Sequence, residues 1–134
     1  MHIFGIGTDI SNINRIKKSL KNKNFINRVF NIAEIKKCKN HINKSNCFAK
    51  RFAAKEAFSK ALGTGFSNGI NFNEIVVMNE KNGKPLIKLK GKTMSIIKKK
   101  LKKKIKINLS LSDEKKYALA FVTICIWIKK KYCF

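Results

Sequence analysis

Glu56 lies in the stretch RFAAKEAFSKALGTG (51–65), one of seven acidic residues in a chain of 134 that carries 31 lysines and arginines. Phe52, Glu56 and Lys60 recur at a four-residue spacing, which places them in one stripe of a helix. Such a stripe has two uses. Glu56 and Lys60 can pair on the helix surface and stabilise it by roughly 0.2–0.5 kcal/mol. Alternatively, the carboxylate holds a cation while the ammonium meets a phosphate beside it. Asp9, in GIGTDI (5–10), offers a second carboxylate. Two carboxylates with waters and substrate phosphates are the usual way to hold Mg²⁺, whose octahedral shell is made of oxygen. At this level both readings stand.

Other chemistries find little support. His2 sits at the terminus and His41 in a polar stretch, and neither belongs to a nucleophile–base arrangement. Cys38, Cys47, Cys125 and Cys133 show no CxxC spacing. Cys38, His41 and Cys47 lack a fourth zinc ligand, so free thiols in a reducing cytosol are expected. The run GTGFSNG (63–69) follows a helical pattern, whereas a dinucleotide fingerprint follows a strand and opens a helix. It reads as a turn.

The elements that would position these residues follow from periodicity. HIFGIGTDI (2–10) alternates as a strand, with Ile3, Gly5, Gly7 and Asp9 on one face and Phe4, Ile6, Thr8 and Ile10 on the other. The apolar second face is expected to meet the core, while the glycines leave ground on which a ligand or another backbone can approach. Ile13, Ile16 and Leu20 follow at helical spacing, FINRVF (25–30) continues in that style, and Asn31 can cap a further short helix. A polar loop is predicted at 39–46, then a helix from about Cys47 to Leu62 that Gly63 ends. The period then changes. EIVVM (74–78) and PLIKLK (85–90) form a hairpin, 93–104 an amphipathic basic helix, and 107–112 with 117–128 a second hairpin. Helices early and hairpins late predict an α+β fold, an antiparallel sheet of hairpins packed with helices.

A chain of this length supports one domain, residues 1–134, and the tail from 129 is expected to fray. The longest apolar segment, 117–128, is shorter than the roughly 20 residues of a spanning helix. No export signal is visible, so a soluble, cytoplasmic protein is expected. The net charge of +24 calls for an anionic partner. Lysine, asparagine and isoleucine abound together, as A/T-rich coding would produce, so Arg15, Arg28 and Arg51 say more than any single lysine. The charge and the KKKLKKK run (98–104) alone also allow a basic nucleic-acid-binding, ribosome-associated module. No aromatic residue interleaves with that run.

GIGTDI, RFAAKEAFSKALGTG, NGKP (82–85) and LSLSDEKKYALAFV (109–122) together resemble the small bacterial class of 4′-phosphopantetheinyl transferases, the holo-[acyl-carrier-protein] synthases. The likeness runs from about residue 2 to residue 124, with the motifs in the family's order. It implies the 4′-phosphopantetheinyl transferase fold. It also implies transfer of 4′-phosphopantetheine from coenzyme A to a serine of apo-acyl carrier protein, for fatty acid biosynthesis, with release of adenosine 3′,5′-bisphosphate. Mg²⁺ and a homotrimer with active sites between protomers come with it, and neither nucleic acid nor a membrane span is then expected. By motif, Asp9 and Glu56 would hold the metal, and Arg51, Ser59 and Lys60 the coenzyme A phosphates. Gly83 and Pro85 would border the adenine. Glu56 and Lys60 are the expected catalytic residues, Glu56 as base through a water and Lys60 neutralising charge on the phosphates. Arg15, Lys17, Lys18, Lys21 and Arg28, with Phe25 as apolar anchor, would dock an acidic carrier protein. Asp113 stands where many members have histidine, and it receives no role.

Overall fold

Asparagine opens each of the first three helices. The computed structural model describes residues 1–63 and 69–129. In it β1 (His2–Asn12) passes directly into α1 (Ile13–Ser19), where the Asn12 side chain accepts from the Arg15 backbone N–H. Asn22 caps α2 (Lys23–Val29) in the same way. Asn31 and Glu34 form a reciprocal capping box on α3 (Ile32–Lys39). The predicted polar loop shrinks to residues 40–43, because α4 (Lys44–Leu62) starts earlier than the apolar pattern indicated. Gly63 ends it in the left-handed conformation at φ 83°.

Beyond a 3-10 turn (Phe72–Glu74), β2 (Ile75–Asn79) and β3 (Pro85–Leu89) pair as the predicted hairpin. The basic helix α5 (Gly91–Leu101) stops short of its expected end because Lys102 turns left-handed at φ 50°. β4 (Ile105–Asp113) and β5 (Tyr117–Ile126) form the second hairpin. β1 joins it on the far side of β5, giving an antiparallel sheet in the order β1-β5-β4, with Asp9 opposite Ala120. The α+β expectation holds. Most of GTGFSNG and residues 130–134 of the tail lie outside the described residues.

One expectation reverses. The face of β1 turned inward is the glycine face, and the apolar face looks outward, with Ile6 61% and Ile10 64% exposed. The cause lies in α4. Its buried alanines let it descend onto β1 until the two backbones touch: a Cβ on Gly7 would lie 1.9 Å from the Ala57 carbonyl oxygen, and one on Gly5 1.8 Å from that of Ala61. Strand alternation separates two faces without saying which is covered, and here the smooth face wins because it admits the helix.

A second correction concerns sulfur. Cys38 and Cys47 form a disulfide instead of remaining free thiols, since the turn at 40–43 sets the end of α3 against the start of α4 with the Cα atoms 5.4 Å apart. Cys125 is free and buried. Nearby, Lys55 on α4 is fully buried and donates to Glu34 Oε1 at 2.6 Å and to the carbonyls of Phe72 and Ile75. Glu34 in turn accepts from the backbone N–H groups of Asn31 and Val77. This pair ties α3, α4 and β2 together. Burial pulls Lys55 down to about 8 against the opposing pull of Glu34.

Candidate active site

Close approach of α4 to β1 decides where the carboxylates fall. Asp9 follows Gly7 by two residues and Glu56 precedes Ala57, so the seam that joins the backbones also sets the acids beside each other. Both line one cleft of about 420 Å³, together with Ser11, Arg15, Phe52 and Lys60. Lys60 does not pair with Glu56 along the helix. Its ammonium donates instead to Asp9 Oδ1 at 3.2 Å and to the Thr8 carbonyl at 3.0 Å, while Ser11 donates to Asp9 Oδ2 at 2.9 Å. Among the described residues Glu56 has no ion-pair partner within 4 Å. Burial raises the pKa of its carboxyl, the charge of Asp9 raises it further, and Lys60 opposes them. Two like charges therefore sense each other across the cleft, which is the electrostatic condition a bound cation relieves.

Arg51 projects elsewhere. It lines a separate cleft of about 420 Å³ with Lys37, Lys50, Asn79 and Gly83. Its Nη1 donates to the Cys47 carbonyl and sulfur, and its Nη2 to Asn79 Oδ1 at 3.3 Å. The Asn79 amide donates to the Gly83 carbonyl at 3.0 Å, so guanidinium and hairpin turn are linked. Arg51 is only 4% exposed, and its Nε has no hydrogen-bond partner among the described residues. Burial lowers its pKa, while Glu34 works against that. A buried cation with a spare donor beside a cleft is matched to an anion.

The remaining expected site residues are less concentrated. Pro85 opens β3 opposite Asn79 but is not part of the lining of the Arg51 cleft. Ser59 is buried on α4, its hydroxyl without a partner among the described residues, and it lines neither cleft. Asp113 is engaged: the Asn46 amide donates to it at 2.8 Å and Lys50 pairs with it at 3.3 Å. The Asn46 hydrogen bond leads the influences holding its carboxyl below the usual value. Arg15, Lys17, Lys18, Lys21 and Arg28 are exposed on α1, on α2 and in the turn between them. Phe25 is half-buried, its ring 6.1 Å from those of Phe30 and Phe52. Sequence reading passed over Glu34 and Lys55, although the Asn31–Glu34 spacing is that of a capping box and was available as a signal.

Comparison with known proteins places the chain in one family and fold. The model of the 4′-phosphopantetheinyl transferase superfamily matches residues 5–122. A holo-[acyl-carrier-protein] synthase of Pelagibacter ubique is 52% identical over 92% of this chain and 98% of its own. The crystal structure of a holo-[acyl-carrier-protein] synthase from Neisseria meningitidis superposes with a TM-score of 0.81 at 36% identity, over 91% of this chain and 98% of that one. A Bacillus anthracis holo-(acyl-carrier-protein) synthase, in complex with CoA (3′,5′-ADP), gives 0.75 at 34% identity, over 92% and 97%.

Proposed function

The chain belongs to the 4′-phosphopantetheinyl transferase superfamily, and from that premise we infer that it carries holo-[acyl-carrier-protein] synthase activity. It transfers 4′-phosphopantetheine from coenzyme A to a serine hydroxyl of apo-acyl carrier protein and releases adenosine 3′,5′-bisphosphate. The observation that carries this reading is the convergence of Asp9, Glu56 and Lys60 in one cleft. The family match leaves the nucleic-acid alternative without support.

The donor set suits Mg²⁺. Asp9 and Glu56 supply two carboxylates and leave other positions for phosphate oxygens and water. Among the described residues no group of three or more His, Cys, Asp or Glu side chains forms a protein-only cage. When bound there, Mg²⁺ supplies neutralisation of the diphosphate charge. Lys60, held by Asp9 and the Thr8 carbonyl, presents its ammonium to the same phosphates. The carrier serine forms the new O–P bond at the β-phosphate as the bond to the bisphosphate leaving group breaks. Glu56 takes the serine proton through a water, as the base of the step. Arg51, whose Nε has no partner among the described residues, fits a phosphate of the nucleotide end, with Gly83 and Pro85 at the adenine.

Because one chain presents these groups in two clefts, the reading includes a homotrimer that closes each site between neighbours. The outer sheet face supports it: Ile6 and Ile10 on β1 adjoin Leu119 and Phe121 on β5, which are 43% and 45% exposed. Apolar residues grouped in this way mark an interaction surface. The basic α1–α2 surface would steer an acidic carrier protein and speed its association. No described helix is long and apolar enough to cross a membrane, and a cytoplasmic setting follows from the proposed substrates. The test is to mix protein, apo-carrier, coenzyme A and Mg²⁺ and to weigh the carrier. A phosphopantetheine mass increment that a chelator abolishes is expected; an unchanged carrier mass overturns the reading.

A further inference from the structure

Between β3, α5 and β4 lies a third cavity of about 460 Å³, which shares no lining residue with either cleft described above. Ile87, Leu89, Met94, Ile97, Ile105 and Ile107 form its walls. Lys88, Lys98, Lys103 and Lys104 complete the lining, and no acidic residue contributes. Among the described residues none of these lysines pairs with a carboxylate. Lys104 lies 5.9 Å from the centroid of the Trp127 ring. Lysine stems commonly cover apolar surface while their heads stay in water, but here four uncompensated heads surround a concavity of small-ligand size, which runs from roughly 300 to 1,000 Å³.

We propose that this trough binds a single-chain amphiphile with an anionic head, the chain lying on the isoleucine walls and the head meeting the lysine rim. Charge complementarity selects the occupant. A bilayer would need an apolar face turned outward, whereas Thr93, Ile97 and Leu101 of α5 are buried and Lys98, Lys99 and Lys100 face water. Nucleic acid would need stacking surfaces, and no aromatic residue lines the trough. The inference does not depend on the transferase activity, so either can fail alone.

The test titrates the full chain with cis-parinarate, a fluorescent long-chain carboxylate, below its micellar concentration, and displaces it with hexadecanoate, hexadecyl phosphate or hexadecanol. Saturable binding displaced by either anion and not by the alcohol is expected, and the more effective anion identifies the head. Met94→Asp, which sets a charge against the chain, should weaken binding by roughly tenfold or more. Lys98→Glu with Lys103→Glu should weaken it and remove its salt dependence. Both variants should keep wild-type circular dichroism and transferase activity. The proposal is overturned by absence of saturable binding or by equal displacement by the alcohol. It is equally overturned by folded variants that bind as wild type does, or by binding confined to anionic vesicles.

Discussion

On the proposed reading Glu56 takes a proton in catalysis while sharing a cleft with another carboxylate. Burial and Asp9 raise its pKa, which has two consequences of opposite sign. A base is lost when protonated, so transfer should fall in acid, and a bound cation, by relieving the repulsion from Asp9, should move that fall to lower pH than in the empty cleft. Stability runs the other way: an acid whose pKa is raised on folding contributes stability fully below its unfolded pKa of about 4.5, and that contribution is lost as pH rises through the folded value. Glu56→Gln should therefore cut transfer by about 10²–10⁴-fold, yet melt no lower than the wild type at pH 7 in chelator. Near-normal turnover with retained coenzyme A affinity would remove Glu56 as the base. At this scale the sequence was informative where residues share a helix and silent where they do not. Arg51, Glu56 and Lys60 stand within one short stretch. The Lys55–Glu34 pair spans 21 residues, and nothing local distinguishes Lys55 from the other lysines of a lysine-rich chain.

Among the elements, the contact of α4 with β1 dominates. The helix, the strands and both hairpins were legible from period and turn residues. The inward face of β1 was not, because alternation is symmetric until the partner is known. The signal lay in two distant segments at once, the glycines at 5 and 7 and the alanines at 57 and 61. Gly7→Ala tests this contact. Its Cβ would collide with the Ala57 carbonyl, so either helix or strand must move, at a cost of about 1–3 kcal/mol. Thermal unfolding should show a lowered Tm. Transfer should fall with it even below that Tm, because Asp9 and Glu56 separate as the backbones part. A stable, fully active Gly7→Ala protein would contradict this account of the seam.

For the whole molecule, the exposed sheet face and the two clefts argue together. Ile6 and Ile10 were expected in the core by their hydrophobicity alone, and a single chain leaves them uncovered beside Leu119 and Phe121 because, on the proposed reading, their cover is another copy. Phe121→Lys, buried unpaired at such a contact, should leave a folded monomer by sedimentation and abolish transfer. A trimer that persists in that variant would place the interface elsewhere. Since Arg51 and the pair Asp9–Glu56 open into different clefts of one chain, each junction of the proposed ring borrows one half from each side. A subunit defective in the arginine half and another defective in the acidic half would then be complementary: assembled together, they rebuild an intact junction that neither forms alone.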